Sequence, residues 1–183
     1  MEKHVLVPVA DGTEELEAVA IIDILRRAVA KVTVASVSGM KTISASRGVV
    51  LVADTLVEQC IDDEYDLVVL PGGIPGAEHL RDSESLVRIL KKQKEKDLLY
   101  GAICASPAVI LEHHGLLLER QATCHPAFTN QLTDTGRTDE RVVVDGNCVT
   151  SKGAGTAVEF ALALVEQLYD GIKRDEVAAT LAI

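Results

Sequence analysis

Tryptophan is absent from this chain of 183 residues, and aromatic residues make up only 3% of it. A core must therefore be built from Val, Leu, Ile and Ala, the composition of parallel strands buried on both faces. Cysteine is scarce too. Cys60, Cys104, Cys124 and Cys148 stand far apart with no C-x-x-C pair, which indicates neither a zinc knuckle nor a disulfide framework and leaves each as a free thiol. Positive charge is in deficit: 18 Lys and Arg against 28 Asp and Glu give a formal net charge of -10, which repels phosphate backbones and argues against tight nonspecific nucleic-acid binding. The opening "MEKHVLVPVADG" carries Glu2 and is stopped by Asp11, so it fits neither a secretory signal nor a membrane span, and a soluble, cytoplasmic protein is expected. The glycines of "SKGAGTAVEF" do not complete G-x-G-x-x-G and no G-x-x-x-x-G-K-[ST] occurs, so neither a nucleotide cofactor nor a metal is expected.

What is present is a rhythm. With 48% hydrophobic residues the chain is long enough for one substantial core and short for two, which predicts a single domain over 1–183. Residues 4–10 read as a strand, followed by a turn, a Thr13 N-cap candidate and a helix ending near Ala28. A second strand over 31–37 leads to two small strands around Arg47 and Gly48. Residues 66–70 form a strand entering the turn Pro71 to Gly76, and "SESLVRILKKQKEKD" forms a helix. Next come a strand at 99–103, a helix over 105–113, a hairpin turning on Asp145 and Gly146, a long buried helix in "GAGTAVEFALALVEQLYD" and a short terminal helix over 174–181. Strands alternating with helices predict an α/β fold with an open, mostly parallel sheet covered on both faces. Ligands of such sheets sit at the carboxyl ends of the strands, which singles out the turns at 11–17, 71–76 and 103–107.

Cys104 falls on the bend between the 99–103 strand and the helix after it, where the positive end of a helix favours a thiolate and Pro107 suits the first helical turn. A nucleophile there fits; so does a small buried hydrophobe, the commoner role of a free cysteine and the one read for the other three. Backbone N–H groups of Gly72, Gly73 and Ala105 are candidate oxyanion donors, although "PGG" also serves as an ordinary strand-ending turn. "TEELE" offers macrodipole partners. Glu17 shares a helical face with Ala20, Ile21 and Ile24, while Glu15 faces Ala18, Val19 and Ile22, so periodicity does not say which carboxyl is buried. His125 in "CHP" suits a loop-borne acid or base or a structural histidine, and His113 and His114, at a helix C-terminus, are assigned no chemistry.

Taken in order, "DGTEELEAV", "LRRAVAKVTVASV", "YDLVVLPGG", "GAICASPAV", "CHP" and "TSKGAGTAVEFALALVE" resemble the ThiJ/PfpI superfamily, in the branch of the Parkinson-associated deglycase DJ-one. That resemblance spans nearly the whole chain. It implies a flavodoxin-like fold of the class I glutamine amidotransferase-like kind, a homodimer, and a reactive cysteine paired with a buried glutamate. Residue by residue, it places the nucleophile on Cys104, the glutamate on Glu17, the nearby histidine on His125 and the oxyanion turn on Gly73 with Ala105, with Arg27 and Arg47 near the pocket or the dimer interface. Ser106, Ala154 and Lys152 depart from the family pattern, and Ala45 and Val52 stand where some relatives carry peripheral cysteines.

The implied activity is that of a cofactor-free deglycase or glyoxalase acting on methylglyoxal, glyoxal or their early adducts on amines and thiols, releasing lactate or glycolate. An alternative on the same residues is an oxidative-stress sensor or chaperone in which Cys104 becomes a sulfinate. A cysteine peptidase is a third reading. Ala105 counts against it, because in the protease-like branch a histidine directly follows the nucleophile.

Overall fold

The computed structural model describes residues 2–183. Runs of Val, Leu and Ile give strands β1 (His4–Val9), β2 (Lys31–Ser36), β6 (Leu67–Leu70), β7 (Leu99–Ile103) and β9 (Cys148–Ser151), separated in sequence by β3 (Thr42–Ser44), β4 (Val50–Val52), β5 (Thr55–Leu56) and β8 (Val142–Asp145). The helices are α1 (Glu15–Arg27), α2 (Gly76–Arg81), α3 (Glu84–Glu95), α4 (Ala157–Leu168) and α5 (Gly171–Thr180). Seven strands form one sheet in the order β5-β2-β1-β6-β7-β9-β8, parallel throughout except for the edge strand β8, which pairs antiparallel with β9. β3 and β4 form a separate antiparallel hairpin. This is the α/β, flavodoxin-like architecture expected from the sequence.

Alternation along the strands divides the core into two layers. Val5, Val7 and Val9 of β1 face α1, α4 and α5 through Ile21, Leu25, Phe160, Leu164 and Val177, whereas Leu6 faces α2 and α3 through Leu80, Leu86 and Leu90. Both faces are buried, as a parallel sheet requires. With Trp absent, Tyr100 and Phe160 are the largest fully buried side chains. Phe160 closes on Gly101 of β7, where an added Cβ would lie 3.3 Å from its ring and 2.9 Å from Val149 O.

Several local expectations are corrected. Thr13 does not cap α1; Glu14 does, accepting from Glu17 N at 2.8 Å, while Thr13 Oγ1 turns inward to accept from Ala10 N. The helix expected after Cys104 is a π-helical turn, Pro107–Glu112, and this wider turn brings Pro107 through Leu111 into the core together, which one face of a 3.6-residue helix would not. The long helix over "GAGTAVEF" opens with a 3-10 turn at Ala154–Thr156 before α4, and α5 begins at Gly171, capped by Asp170. The Pro71 to Gly76 turn runs directly into α2, a helix too short to leave a periodic signature.

Chain order reverses between β1 and β6, the switch point where loops splay apart. Here they interlock instead. Glu14 N donates to Gly72 O at 2.9 Å, and a Cβ at Gly76 would collide with Thr13 N, so the loops after β1 and β6 pack backbone to backbone. Gly76→Ala is therefore expected to destabilise by about 2 kcal/mol or more in urea unfolding, through forced backbone movement. An unchanged midpoint would show that the two loops are free to separate.

Candidate active site

Three strand ends meet at the cleft. α1, which follows the loop after β1, supplies Glu17, the β6 turn supplies Gly72 and Gly73, and Cys104 follows β7. Cys104 adopts φ +66, a left-handed conformation costing about 1–2 kcal/mol for a residue with a side chain, and the surroundings enforce it. Its N–H donates to Ser151 O at 3.0 Å and its carbonyl accepts from His125 N at 2.8 Å. Ser106, fully buried, donates its hydroxyl to Pro71 O at 2.6 Å, tying the bend to the glycine turn. Cys104 is half-buried, in contrast to the buried Cys60, Cys124 and Cys148.

Glu17 has no exposed surface. Its Oε2 accepts from Gly72 N at 2.8 Å, while Oε1 is buried without a hydrogen-bond partner and, with Cys104 Sγ, borders the space where a Cβ at Gly153 would stand, 3.9 Å from each. Gly72 is consequently corrected as an oxyanion donor, because its N–H already serves the Glu17 carboxyl. The space around this contact is tight: a Cβ at Gly72 would lie 2.5 Å from Cys104 Cβ and 2.8 Å from Glu17 Oε2. The amides of Gly73 and Ala105 act on Cys104 Sγ, each lowering the pKa of the thiol.

These positions set the proton balance. Burial pushes the Glu17 carboxyl up to about 7, against the pull of the Gly72 N–H and of the Cys104 contact, with the Glu14 charge adding a smaller push upward. Burial likewise pushes the Cys104 thiol up to about 12, with the Glu17 charge next, and the Gly73 and Ala105 amides oppose it. The helix start expected to favour a thiolate is therefore not what opposes this push. The turn there is short and π-helical, and the donors are the two loop amides. An ionised Glu17 repels a thiolate; a protonated Glu17 removes that charge and offers its proton to Sγ through Oε1.

His125 closes the outer side of the cleft. Its Nδ1 accepts from Ala127 N at 3.2 Å, which leaves Nε2 as the protonated nitrogen of the neutral ring. An added Cβ at Gly153 would lie 3.5 Å from His125 Cδ2 and 3.9 Å from both Cys104 Sγ and Glu17 Oε1, so the absent side chain is what keeps a route to the sulfur open. Two cavities share Cys104, His125, Glu14 and Arg47: one of about 460 Å³ bounded by Arg141, Lys152 and Gly153, and one of about 230 Å³ bounded by Ser46, Ile74 and Phe128. Arg27 is elsewhere, bound to Asp23 at 2.7 Å and reaching Thr180.

The sequence reading missed Arg141, which follows no motif, and the cleft role of Gly153, whose neighbouring glycines drew attention only as a nucleotide loop. Among the described residues no cluster of three or more His, Cys, Asp or Glu could hold a metal ion, and no helix is long and apolar enough to cross a membrane.

The sequence pattern of the DJ-1/PfpI family matches residues 3–167. Protein DJ-1 homolog B of Arabidopsis thaliana is 55% identical over 166 residues, covering 91% of this chain, which itself spans only 38% of that longer relative. The glutathione-independent glyoxalase DJR-1.2 of Caenorhabditis elegans is 36% identical over 166 residues, covering 90% of this chain and 87% of its own length. A solved structure described as oxidized Toxoplasma gondii DJ-1 superposes with a TM-score of 0.96 at 47% identity, covering 98% of each chain.

The raised Glu17 pKa has a sign that can be checked. Relative to an ordinary value of 4.5, Glu17 contributes stability that is fully present below 4.5 and is lost as pH rises through about 7. Between pH 5 and pH 8, urea unfolding of Glu17→Gln is expected to gain about 2.5 kcal/mol on the wild type. A pH-independent difference would mean that Glu17 titrates normally.

Proposed function

The chain belongs to the DJ-1/PfpI family, and from that premise we propose that it is a cytoplasmic, homodimeric, cofactor-free deglycase or glyoxalase acting on methylglyoxal, glyoxal or their early adducts. The observation that carries this reading is a half-exposed thiol at a strained bend, next to a buried carboxyl whose outer oxygen has no other partner. A relative named as a glutathione-independent glyoxalase supports the same class of chemistry.

In this mechanism the Cys104 thiolate adds to the aldehyde carbon of methylglyoxal, and the proton held by Glu17 passes to the new oxygen, whose developing charge the Gly73 and Ala105 amides stabilise, leaving Glu17 ionised. Glu17, now ionised, takes the proton from that carbon and returns it to the neighbouring carbonyl carbon, while the hydroxyl proton on the first carbon moves to the neighbouring oxygen, leaving a thioester of lactate. Water attacks the thioester with His125 assisting, and lactate and the thiol are released. The two-carbon analogue, glyoxal, gives glycolate. A carboxyl with a pKa of about 7 suits this role, because it gives and takes a proton at neutral pH.

Lactate formation from methylglyoxal is expected to fall by about a thousandfold in Cys104→Ser and about a hundredfold or more in Glu17→Gln, and by about tenfold to a hundredfold in His125→Ala. Equal turnover by all four proteins would rule the mechanism out.

Oxidation of Cys104 to a sulfinate is the second reading, favoured by the resemblance to a structure described as oxidized. The same two amides and a protonated Glu17 would receive the sulfinate oxygens. Mild peroxide should then add two oxygens at Cys104 and leave the buried Cys60, Cys124 and Cys148 unmodified. Oxidation spread over all four would sink it.

For the homodimer, Leu16 and Val19 on α1 and Val50 and Val52 on β4 are exposed apolar side chains on elements that Glu15 ties to each other. Leu16→Asp combined with Val50→Asp is expected to give monomers in sedimentation velocity. A sedimentation coefficient unchanged from the wild type would move the interface elsewhere.

A further inference from the structure

Glu15 is the second buried carboxylate of α1, and the mechanism makes no use of it. It is only 8% exposed. Its Oε2 accepts from Ser46 Oγ at 2.8 Å, and its Oε1 accepts from Arg47 N at 2.8 Å and Val49 N at 3.4 Å. Ala45 and Gly48 close the same turn, with Gly48 N donating to Ala45 O at 3.0 Å and Gly48 at φ +88. Burial pushes the Glu15 carboxyl up, and its hydrogen-bond donors outweigh that push and hold it below the ordinary carboxylate value.

The turn presents one cation to the cleft. The Arg47 side chain borders both cavities that meet at Cys104, and among the described residues its guanidinium has no hydrogen-bond or ion-pair partner. Of the other charges there, Arg141 is paired with Glu159 at 2.7 Å, and Glu14 accepts from Glu17 N. Lys152 adds a second positive charge on the far wall. A guanidinium held open at the mouth of a thiol site is built to receive a carboxylate or another anionic group.

We propose that Glu15 is a positioning residue whose carboxylate fixes the Ser46 to Val49 turn so that Arg47 selects reactants carrying a negative charge next to the aldehyde. The substrate class this names is an anion-bearing adduct, such as methylglyoxal on the thiol of a cysteine derivative with a free carboxylate. Its substrate side rests on the deglycase or glyoxalase reading; the placement of the cation does not.

Alkylation of Cys104 separates the two. Iodoacetate and iodoacetamide differ by one negative charge, so the ratio of their rates at Cys104, divided by the ratio for N-acetylcysteine, reads the cation independently of turnover. This normalised ratio is expected to fall by about five- to tenfold in Arg47→Ala and in Glu15→Ala, and to recover substantially in Arg47→Lys. Glu15→Gln keeps an acceptor oxygen for the Arg47 and Val49 amides and is expected to retain the wild-type ratio. Glu15→Leu replaces the alanine variant if that one does not fold. An unchanged ratio in Arg47→Ala, or in a folded Glu15→Ala or Glu15→Leu, overturns the proposal, and so does a drop in Glu15→Gln as deep as in Glu15→Ala. Turnover is then compared for the methylglyoxal adducts of N-acetylcysteine and its amide, with KM expected to rise for the carboxylate form alone in Arg47→Ala. Wild-type protein that turns over neither adduct defeats the enzymatic reading while leaving the alkylation result standing.

Discussion

One proton between Cys104 and Glu17 governs what the site can do. A thiolate and a carboxylate held together in a largely buried contact repel each other, so the doubly ionised state is disfavoured and the pair keeps a proton near neutral pH. With the proton on Glu17, the sulfur loses its repelling neighbour while retaining the two amides of Gly73 and Ala105. A pair in this state is both nucleophile and acid. Nothing comparable surrounds Cys60, Cys124 or Cys148, whose burial without amide donors leaves them as packing residues.

The fold exists around that contact. Doubly covered parallel strands bring three loops to one edge, and the absence of side chains at Gly72 and Gly76 lets those loops close to backbone contact. The Cys104 bend is held by hydrogen bonds to Ser151 and His125, and Ser106 fastens it to Pro71. Its left-handed backbone is a local cost offset by these surroundings. Gly153 then leaves the outer side open, so the sulfur is confined without being sealed.

Most of the architecture was legible because aliphatic runs and helical spacing carry it: β1, β2, β6, β7 and α3 fall where the pattern places them. The π-helical turn after Cys104 was not, since "SPAVILEHHG" has the composition of an ordinary helix and only packing makes Pro107 to Leu111 all point inward. The ambiguity between Glu15 and Glu17 had a physical basis. Both carboxyls are buried, one against the β3–β4 turn and one against the thiol, and helical periodicity contains no information about which partner lies over which face. Gly72 failed as an oxyanion donor for a related reason: glycine frees an amide to be approached but does not say what approaches it. The resemblance to a family supplied the pairing of residues 17 and 104, and the coordinates supplied the orphaned oxygen that gives the pairing its chemistry.

The proton itself is the most direct test. Neutron diffraction from deuterium-exchanged crystals held near pH 6, below the Glu17 value of about 7, would locate it. The account predicts a deuteron on Glu17 Oε1, directed at Cys104 Sγ. A bare Glu17 carboxylate with no deuteron between oxygen and sulfur would contradict it.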